Sequence, residues 1–186
     1  MVNSILGYGE DSLTLWALTK GLSEFLGYLG ESAAEPTEIF YRPSFGRNIG
    51  IGEFDFIIKI GRKTYFGESK WPLSAKRNER NTCRIRLGAN QIRRHAQVVK
   101  FMKKEHPSGS ILAKNIGFIR KRLGEITPVN VLLVFAKREI KSIVVNTKAV
   151  YNNIVELDRV KFTVVHMPIE HIPFAEESNF ITGMGN

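Results

Sequence analysis

The stretch from Glu53 to Trp71 reads EFDFIIKIGRKTYFGESKW, and it decides the centre of the fold. Two runs of β-forming residues flank the short turn IGRK, which predicts a hairpin of two strands at about 53–60 and 63–71. A charge inside an apolar strand is costly unless it faces water, a partner or a metal ion. Three charged residues interrupt these runs and need such an explanation: Asp55, Glu68 and Lys70.

Positive charge is concentrated in about one third of the chain. The 186 residues include 27 Lys and Arg against 18 Asp and Glu, a formal net charge of +9. Residues 59–122 contain 18 basic and 3 acidic side chains, a net charge of +15, and the remainder of the chain has a net charge of −6. A segregated basic region is typical of a protein that binds a polyanion. Solubility alone, the alternative explanation, does not need such segregation.

The composition indicates one globular domain of ordinary size. Apolar residues make up 43% of the chain, and no apolar run is long enough to predict a membrane span. The first residues show no secretory signal, and Cys83 is the only cysteine, so we expect a cytoplasmic protein without disulfides. The domain is expected to have its core at about 8–170, followed by a loosely ordered tail at 175–186.

Apolar periodicity predicts helices and strands along the whole chain. The second helix is expected to direct Ile92, Ala96, Val99 and Met102 inward. The order predicts an α/β domain with a central mixed β-sheet flanked by helices. In chain order the expected elements are a helix at 12–29, a strand at 37–42, the hairpin, a loop or loose helix at 73–87, a helix at 88–105, an ambiguous basic segment at 111–122, a buried strand at 129–136, a short strand or turn in KSIVVN, a short helix at 147–157 and a strand at 161–169.

The hairpin is expected to bring the three charged residues together. Side chains two apart in a strand share a face, so Glu68 and Lys70 lie on one face, whereas Phe54 and Phe56 line the face opposite Asp55. Two neighbouring carboxylates repel each other, and a divalent cation that prefers oxygen ligands, most naturally Mg²⁺, relieves that repulsion. Such an ion can polarise a phosphate and activate water, and a lysine can offset the growing charge. The cluster therefore suits phosphodiester hydrolysis.

The spacing of these residues resembles a known motif. Asp55, twelve further residues and then Glu68-Ser69-Lys70 resemble the PD-(D/E)XK nuclease superfamily, whose restriction-endonuclease-like core has the order αβββαβ. The resemblance extends over about residues 8–136, although Phe54 stands where the motif often has proline. It implies that Asp55 and Glu68 bind Mg²⁺, for which Mn²⁺ can substitute, and that Lys70 is the catalytic lysine.

The resemblance also implies further site residues. Many members have a glutamate on the first helix that completes the metal site, and here it corresponds to Glu10, with Glu24 as the alternative. Some have a glutamine on the second helix, which corresponds to Gln91, and His95 lies four residues later on the same helical face. The nearby basic side chains are expected to contact the phosphates of the nucleic acid. This set comprises Lys76, Arg77, Arg80, Arg84, Arg86, Arg93 and Arg94.

The function implied is a Mg²⁺-dependent deoxyribonuclease, an endonuclease of restriction or of repair and recombination type that acts on DNA. The resemblance also implies a homodimer. A non-catalytic nucleic-acid-binding module of the same fold and a nuclease acting on RNA are the alternatives.

Each site residue also has a plain alternative. Asp55 can pair with Lys59 or Lys63. Glu68 and Lys70 can form a solvated ion pair that contributes little to stability. Glu10 can be a favourable acid at a helix N-terminus, and Gln91 an ordinary polar residue of a helix.

Overall fold

The computed structural model describes residues 9–31, 35–46, 51–72, 82–106, 110–136 and 140–169. They form an α/β fold with a mixed sheet flanked by helices, as the sequence predicts. The helices are α1 (Gly9–Ala17), α2 (Leu22–Tyr28), α3 (Ala89–Lys103) and α4 (Ile111–Leu123). The strands are β1 (Glu38–Tyr41), β2 (Phe56–Ile60), β3 (Lys63–Lys70), β4 (Thr82–Ile85), β5 (Thr127–Ala136), β6 (Ser142–Val145), β7 (Lys148–Ala149), β8 (Ile154–Leu157) and β9 (Val160–Pro168). No helix in these ranges has the length and apolarity needed to cross a membrane.

Six strands form the main sheet in the order β1-β2-β3-β5-β9-β8. The three central strands, β3, β5 and β9, are parallel, and the outer strands β1, β2 and β8 are antiparallel to their neighbours. The predicted hairpin is confirmed as β2 and β3. The apolar run at 129–136 is confirmed as part of β5, which lies between β3 and β9.

Alternating side chains cover both faces of this sheet. One face packs Phe56, Tyr65 and Leu133 against α1 and α2. The other packs Ile57 and Phe66 against α3 and α4. All five residues of β2 are buried, which is expected of a strand covered on both sides.

A second, three-stranded sheet has the order β4-β6-β7. Residues 73–87 were expected to form a loop or loose helix, but 82–85 form a strand, and 73–81 lie outside the described residues. The signal was present, because buried Cys83 and Ile85 alternate with exposed Arg84 and Arg86, which is the period of a strand. This sheet packs its buried side chains against the same face of the main sheet that contacts α3.

The prediction of a helix at 147–157 is wrong, because that segment forms β7 and β8. Asn146, Asn152, Asn153 and Asp158 adopt positive φ angles, and each interrupts a helical path. Asn and Asp tolerate this left-handed conformation better than other non-glycine residues. These Asn and Asp residues therefore indicated turns in a segment whose apolar spacing is similar to that of a helix. The tail at 175–186 lies outside the described residues.

Two helices differ in detail from expectation. The helix expected at 12–29 is two helices, because the chain turns at 18–21, where the Trp16 ring packs directly on Gly21. In α3, Ile92 and Met102 are buried as expected, but Ala96 is exposed, and His95 and Val98 are buried in place of Ala96 and Val99. The ambiguous segment at 111–122 is a regular helix, α4, with Ser110 accepting a hydrogen bond from the backbone N–H of Ala113 at its start.

Candidate active site

The start of β2 and the end of β3 bring the first two charges together. Phe56 pairs with Gly67, so the residues before β2 run alongside the last residues of β3. The backbone N–H of Asp55 donates to the Gly67 carbonyl at 3.1 Å, and the Ser69 N–H donates to Asp55 Oδ2 at 2.7 Å. The Asp55 carboxylate is therefore fixed against the Glu68-Ser69-Lys70 segment by main-chain hydrogen bonds.

The chain bends at Asp55, which corrects one expectation. Strict alternation placed Phe54 and Phe56 on the same face, but Phe54 packs with Phe66 on the α3 side whereas Phe56 packs with Phe25 on the α1 and α2 side. Asp55 lies just before β2 rather than inside it. The bend interrupts the two-residue period, because both phenylalanines are fully buried in different clusters.

Glu68 is a buried carboxylate with both oxygens bonded. Its side chain is 1% exposed, and its Oε1 accepts a hydrogen bond from Arg94 Nη1 at 2.7 Å in an ion pair. Oε2 accepts from Gln91 Nε2 at 2.6 Å. The other end of the Gln91 amide, Oε1, accepts from the Gly88 N–H at 3.0 Å, so the first turn of α3 fixes the orientation of Gln91. Glu68 is thus not the solvated partner of Lys70.

The two carboxyl groups perturb each other. Burial, followed by the charge of Glu68, raises the pKa of Asp55 to about 7. Burial also raises the pKa of Glu68, against the lowering effect of the Arg94 guanidinium. Raised pKa values at neighbouring buried carboxyl groups mark a place where positive charge would be stabilising.

Lys70 and Glu10 form the third part of the cluster. Lys70 Nζ lies 3.0 Å from Glu10 Oε1 and donates to the Ser69 carbonyl at 2.6 Å. Glu10 Oε2 accepts from the backbone N–H of Trp71 at 2.8 Å, so the first turn of α1 is joined to the end of β3. Glu24 instead accepts from Tyr28 on an exposed face of α2. Of the two glutamates considered, Glu10 is the one that contacts this site.

Lys59 and Lys63, the lysines considered as partners of Asp55, pair with other groups. Lys59 is buried and donates to the Glu125 carbonyl and to Thr64, and Lys63 pairs with Glu31. The plain alternative for Asp55 is therefore absent from the described contacts.

His95 and Asn130 extend the site beyond the residues that the motif suggested. His95 Nε2 lies 3.9 Å from Glu68 Oε1, and Nδ1 lies 3.0 Å from Asn130 Oδ1. Burial lowers the pKa of His95 to about 4, so the imidazole is neutral at neutral pH. Sequence reasoning missed Asn130, for which the signal was a lone amide inside the apolar run VNVLLVFA.

The basic residues expected to contact phosphates fall into three groups. Arg84, Arg86 and Arg93 are exposed on or beside β4 and α3. Arg94 differs from expectation, because its side chain is only 13% exposed and is paired with Glu68. Lys76, Arg77 and Arg80 lie outside the described residues.

The chemistry of the cluster fits a divalent cation in part. Among the described residues, no group of three or more His, Cys, Asp or Glu side chains is arranged to hold a metal ion. Asp55 and Glu68 nevertheless offer two adjacent carboxylates, and Mg²⁺ is commonly bound by one or two carboxylates together with water and substrate phosphates. The oxygens of Glu10 contact Lys70 and the Trp71 N–H, and its role as a third ligand stays a prediction.

Comparison of the chain with models of known protein families, with curated proteins and with solved structures finds no match. The functional interpretation therefore depends on the residues and their geometry.

Proposed function

We propose that the chain is a metal-dependent nuclease that hydrolyses DNA phosphodiester bonds. In this proposal it has the restriction-endonuclease-like fold that its motif implies. One observation supports this above the others: side chains from α1, the residue before β2, the end of β3 and the start of α3 converge on one cluster. Its members are Glu10, Asp55, Glu68, Lys70 and Gln91.

The position of the cluster supports the same proposal. Glu68 and Lys70 lie at the carboxyl end of β3, which is parallel to β5. Ligands of open α/β sheets commonly bind beyond the carboxyl ends of parallel strands. The order α1, β1, β2, β3, α3, β5 also contains the succession αβββαβ, with α2, β4 and α4 as additions.

Each side chain has a role in this proposal. Asp55 and Glu68 would hold Mg²⁺, which would polarise the phosphate as a Lewis acid and lower the pKa of a bound water molecule. The ammonium group of Lys70 orients the attacking water and offsets negative charge that develops on the phosphate oxygens. Glu10 keeps Lys70 at the end of β3, and Gln91 keeps Glu68 in its orientation.

The deciding experiment is a nicking and linearisation assay on supercoiled plasmid with Mg²⁺, Mn²⁺ or a chelator. We expect cleavage that requires the metal ion and that falls by at least about 100-fold in Asp55→Asn, which keeps the shape of the side chain but removes its charge. Asp158→Asn, at an exposed turn between β8 and β9, is the matched control and should cleave as the wild type does. Absence of cleavage on plasmid, single-stranded DNA and RNA would contradict the proposal, and cleavage of RNA alone would identify a ribonuclease.

One observation favours a non-catalytic nucleic-acid-binding module instead. Glu10 is paired with Lys70 and Glu68 with Arg94, so the protein itself neutralises two of the three acids. Such a module should shift DNA in a gel equally with metal, with chelator and after Asp55→Asn, and should cut nothing. A homodimer, which the resemblance implies, stays a prediction that light scattering can check.

A further inference from the structure

Arg94 makes a contact in the cluster that the motif does not require. Its guanidinium donates from Nη1 to Glu68 Oε1 at 2.7 Å, on the acid that would bind the metal ion. In a low-exposure site this ion pair is only weakly screened by water. Glu68 therefore already has a positive partner when no divalent cation is present.

The protein surrounds Arg94 with a shaped slot. The guanidinium carbon lies 5.4 Å from the centre of the Phe54 ring, a cation–π contact. A Cβ at Gly52 would lie 3.4 Å from Arg94 Nη2, so the guanidinium packs close to the backbone of Gly52, and the φ of Gly52, +94°, favours glycine. The slot is thus formed by the residues directly before Asp55, and one short segment positions both the acid and the cation.

The slot does not satisfy the arginine completely. In the part of the chain that the structure describes, Arg94 Nε is buried without a hydrogen-bond partner. Glu68 is bonded through one guanidinium nitrogen rather than through two, although arginine and carboxylate often pair through two parallel hydrogen bonds. Because the pairing is incomplete, we infer that Arg94 can release Glu68 and does more than fill space in the core.

The charges of the cluster indicate what such an arginine does. With all groups ionised, Glu10, Asp55 and Glu68 supply three negative charges, and Lys70 and Arg94 supply two positive ones. Without Arg94 the cluster would be more negative and would attract a divalent cation more strongly. With Arg94 in place, the cation must compete for a carboxylate that is already paired.

We propose that Arg94 is the resident counter-cation of Glu68, which competes with a divalent cation for that carboxylate and so weakens the affinity of the site for metal. The inference rests on the proposed metal site. In this role Arg94 is a positioning residue: it holds Glu68 and acts on the metal ion through that side chain.

The test is the affinity for Mn²⁺ measured by calorimetry without nucleic acid, so that it does not depend on activity. We expect Arg94→Gln to bind Mn²⁺ about tenfold more tightly than wild type, a change of about 1.4 kcal/mol. Arg120→Gln, an exposed residue of α4, removes the same charge away from the cluster and should leave the affinity within about twofold of wild type. Weaker or unchanged binding in Arg94→Gln relative to Arg120→Gln would overturn the inference.

Removal of Arg94 leaves a buried carboxylate unpaired and can impair folding. Arg94→Lys keeps the charge but loses the planar contact with Phe54, and we expect an intermediate tightening of about threefold, provided that circular dichroism shows a folded chain. If wild type binds Mn²⁺ and both Arg94 variants bind it with the same affinity as wild type, this inference alone is refuted. Absence of binding in wild type and in every variant would refute the proposed metal site and the inference with it, whereas binding only in Arg94→Gln would support both.

Discussion

The carboxyl group of Asp55 links the site to the stability of the fold. Burial and the charge of Glu68 raise its pKa to about 7, whereas an unfolded aspartate ionises near pH 4. Between these values the folded chain binds more protons than the unfolded chain, so this group lowers the free energy of unfolding as the pH rises from about 4 to about 7.

Asp55→Asn should remove this dependence. We expect the variant to be more stable than wild type by about 2–4 kcal/mol at about pH 8, and nearly equal to it at about pH 4. Urea unfolding in chelator measures the difference, and Asp158→Asn is the control. Parallel pH profiles for wild type and Asp55→Asn would show that Asp55 ionises normally in the fold.

His95 should act in the opposite direction. Burial lowers its pKa to about 4, whereas an unfolded histidine titrates near 6.5. The unfolded chain binds more protons between these values, so the contribution of His95 is fully present above about pH 6.5 and is lost as the pH falls towards 4. Relative to His95→Gln, we expect wild type to lose about 3 kcal/mol of unfolding free energy between about pH 7 and about pH 4.

The same urea titration measures this loss, with His106→Gln as the comparison. His106 is only half-buried and bonds to the Phe101 carbonyl at the end of α3. An equal effect of both substitutions would mean that general charge, and not the buried imidazole, determines acid stability.

Single residues also show how far the sequence determines the candidate site. The spacing of Asp55, Glu68 and Lys70 follows from strand periodicity, and their proximity could be predicted. The contacts of Arg94 and His95 could not, because they depend on the rotation of α3 about its axis. The helix is rotated so that Val98, and not Val99 as expected, faces inward. In this orientation His95 is buried and Arg94 reaches Glu68.

At the scale of elements, the hairpin of β2 and β3 depends on close packing at one glycine. A Cβ at Gly67 would lie 2.0 Å from the ring of Phe56, its partner across the two strands. Phe56 is fully buried and lies edge-on to Phe25 of α2, so its ring has little room to move.

Gly67→Ala should therefore cost about 3 kcal/mol of unfolding free energy, at the upper end of the usual range for overpacked cores. Gly117→Ala is the matched control, because among the described residues no atom outside the backbone of α4 and the adjacent residues lies within 4 Å of a Cβ at that position. There alanine should stabilise the chain by about 0.5–1 kcal/mol, since glycine is a poor helix former. Denaturant unfolding of both variants checks the pair, and a neutral Gly67→Ala would mean that Phe56 can repack.

Elements also show where sequence reasoning stops. Long apolar runs such as the one in β5 were predicted correctly, because a buried strand leaves a continuous signal. The short strands β4, β7 and β8 were missed, because each has four residues or fewer. β4 also depends on pairing with the distant strand β6, whereas the hairpins β6–β7 and β8–β9 turn at Asn146, Asp158 and Arg159, non-glycine residues with positive φ. The break between α1 and α2 was also missed, because the contact of Trp16 with Gly21 is a packing effect that apolar spacing does not reveal.

At the scale of the whole molecule, the uneven distribution of charge predicts how the chain should bind nucleic acid. Arg86 and Arg93 are exposed on either side of Gly88, at the start of α3, where Gln91 contacts Glu68. Arg159 is also exposed but lies at the turn between β8 and β9, two strands away from β3 in the sheet. If the site binds a phosphate backbone, the first two arginines should contact it and the third should not.

The dependence of affinity on salt distinguishes these positions. Each phosphate contact with duplex DNA contributes about 0.9 to the slope of log affinity against log salt concentration. We expect the double substitution Arg86→Gln/Arg93→Gln to reduce that slope by about two. Fluorescence anisotropy with a labelled duplex in chelator, between about 50 and 200 mM salt, measures the slope. Arg159→Gln should leave the slope unchanged. An equal reduction in both proteins would mean that affinity depends on net charge alone, and no reduction in either would place the phosphate contacts elsewhere on the chain.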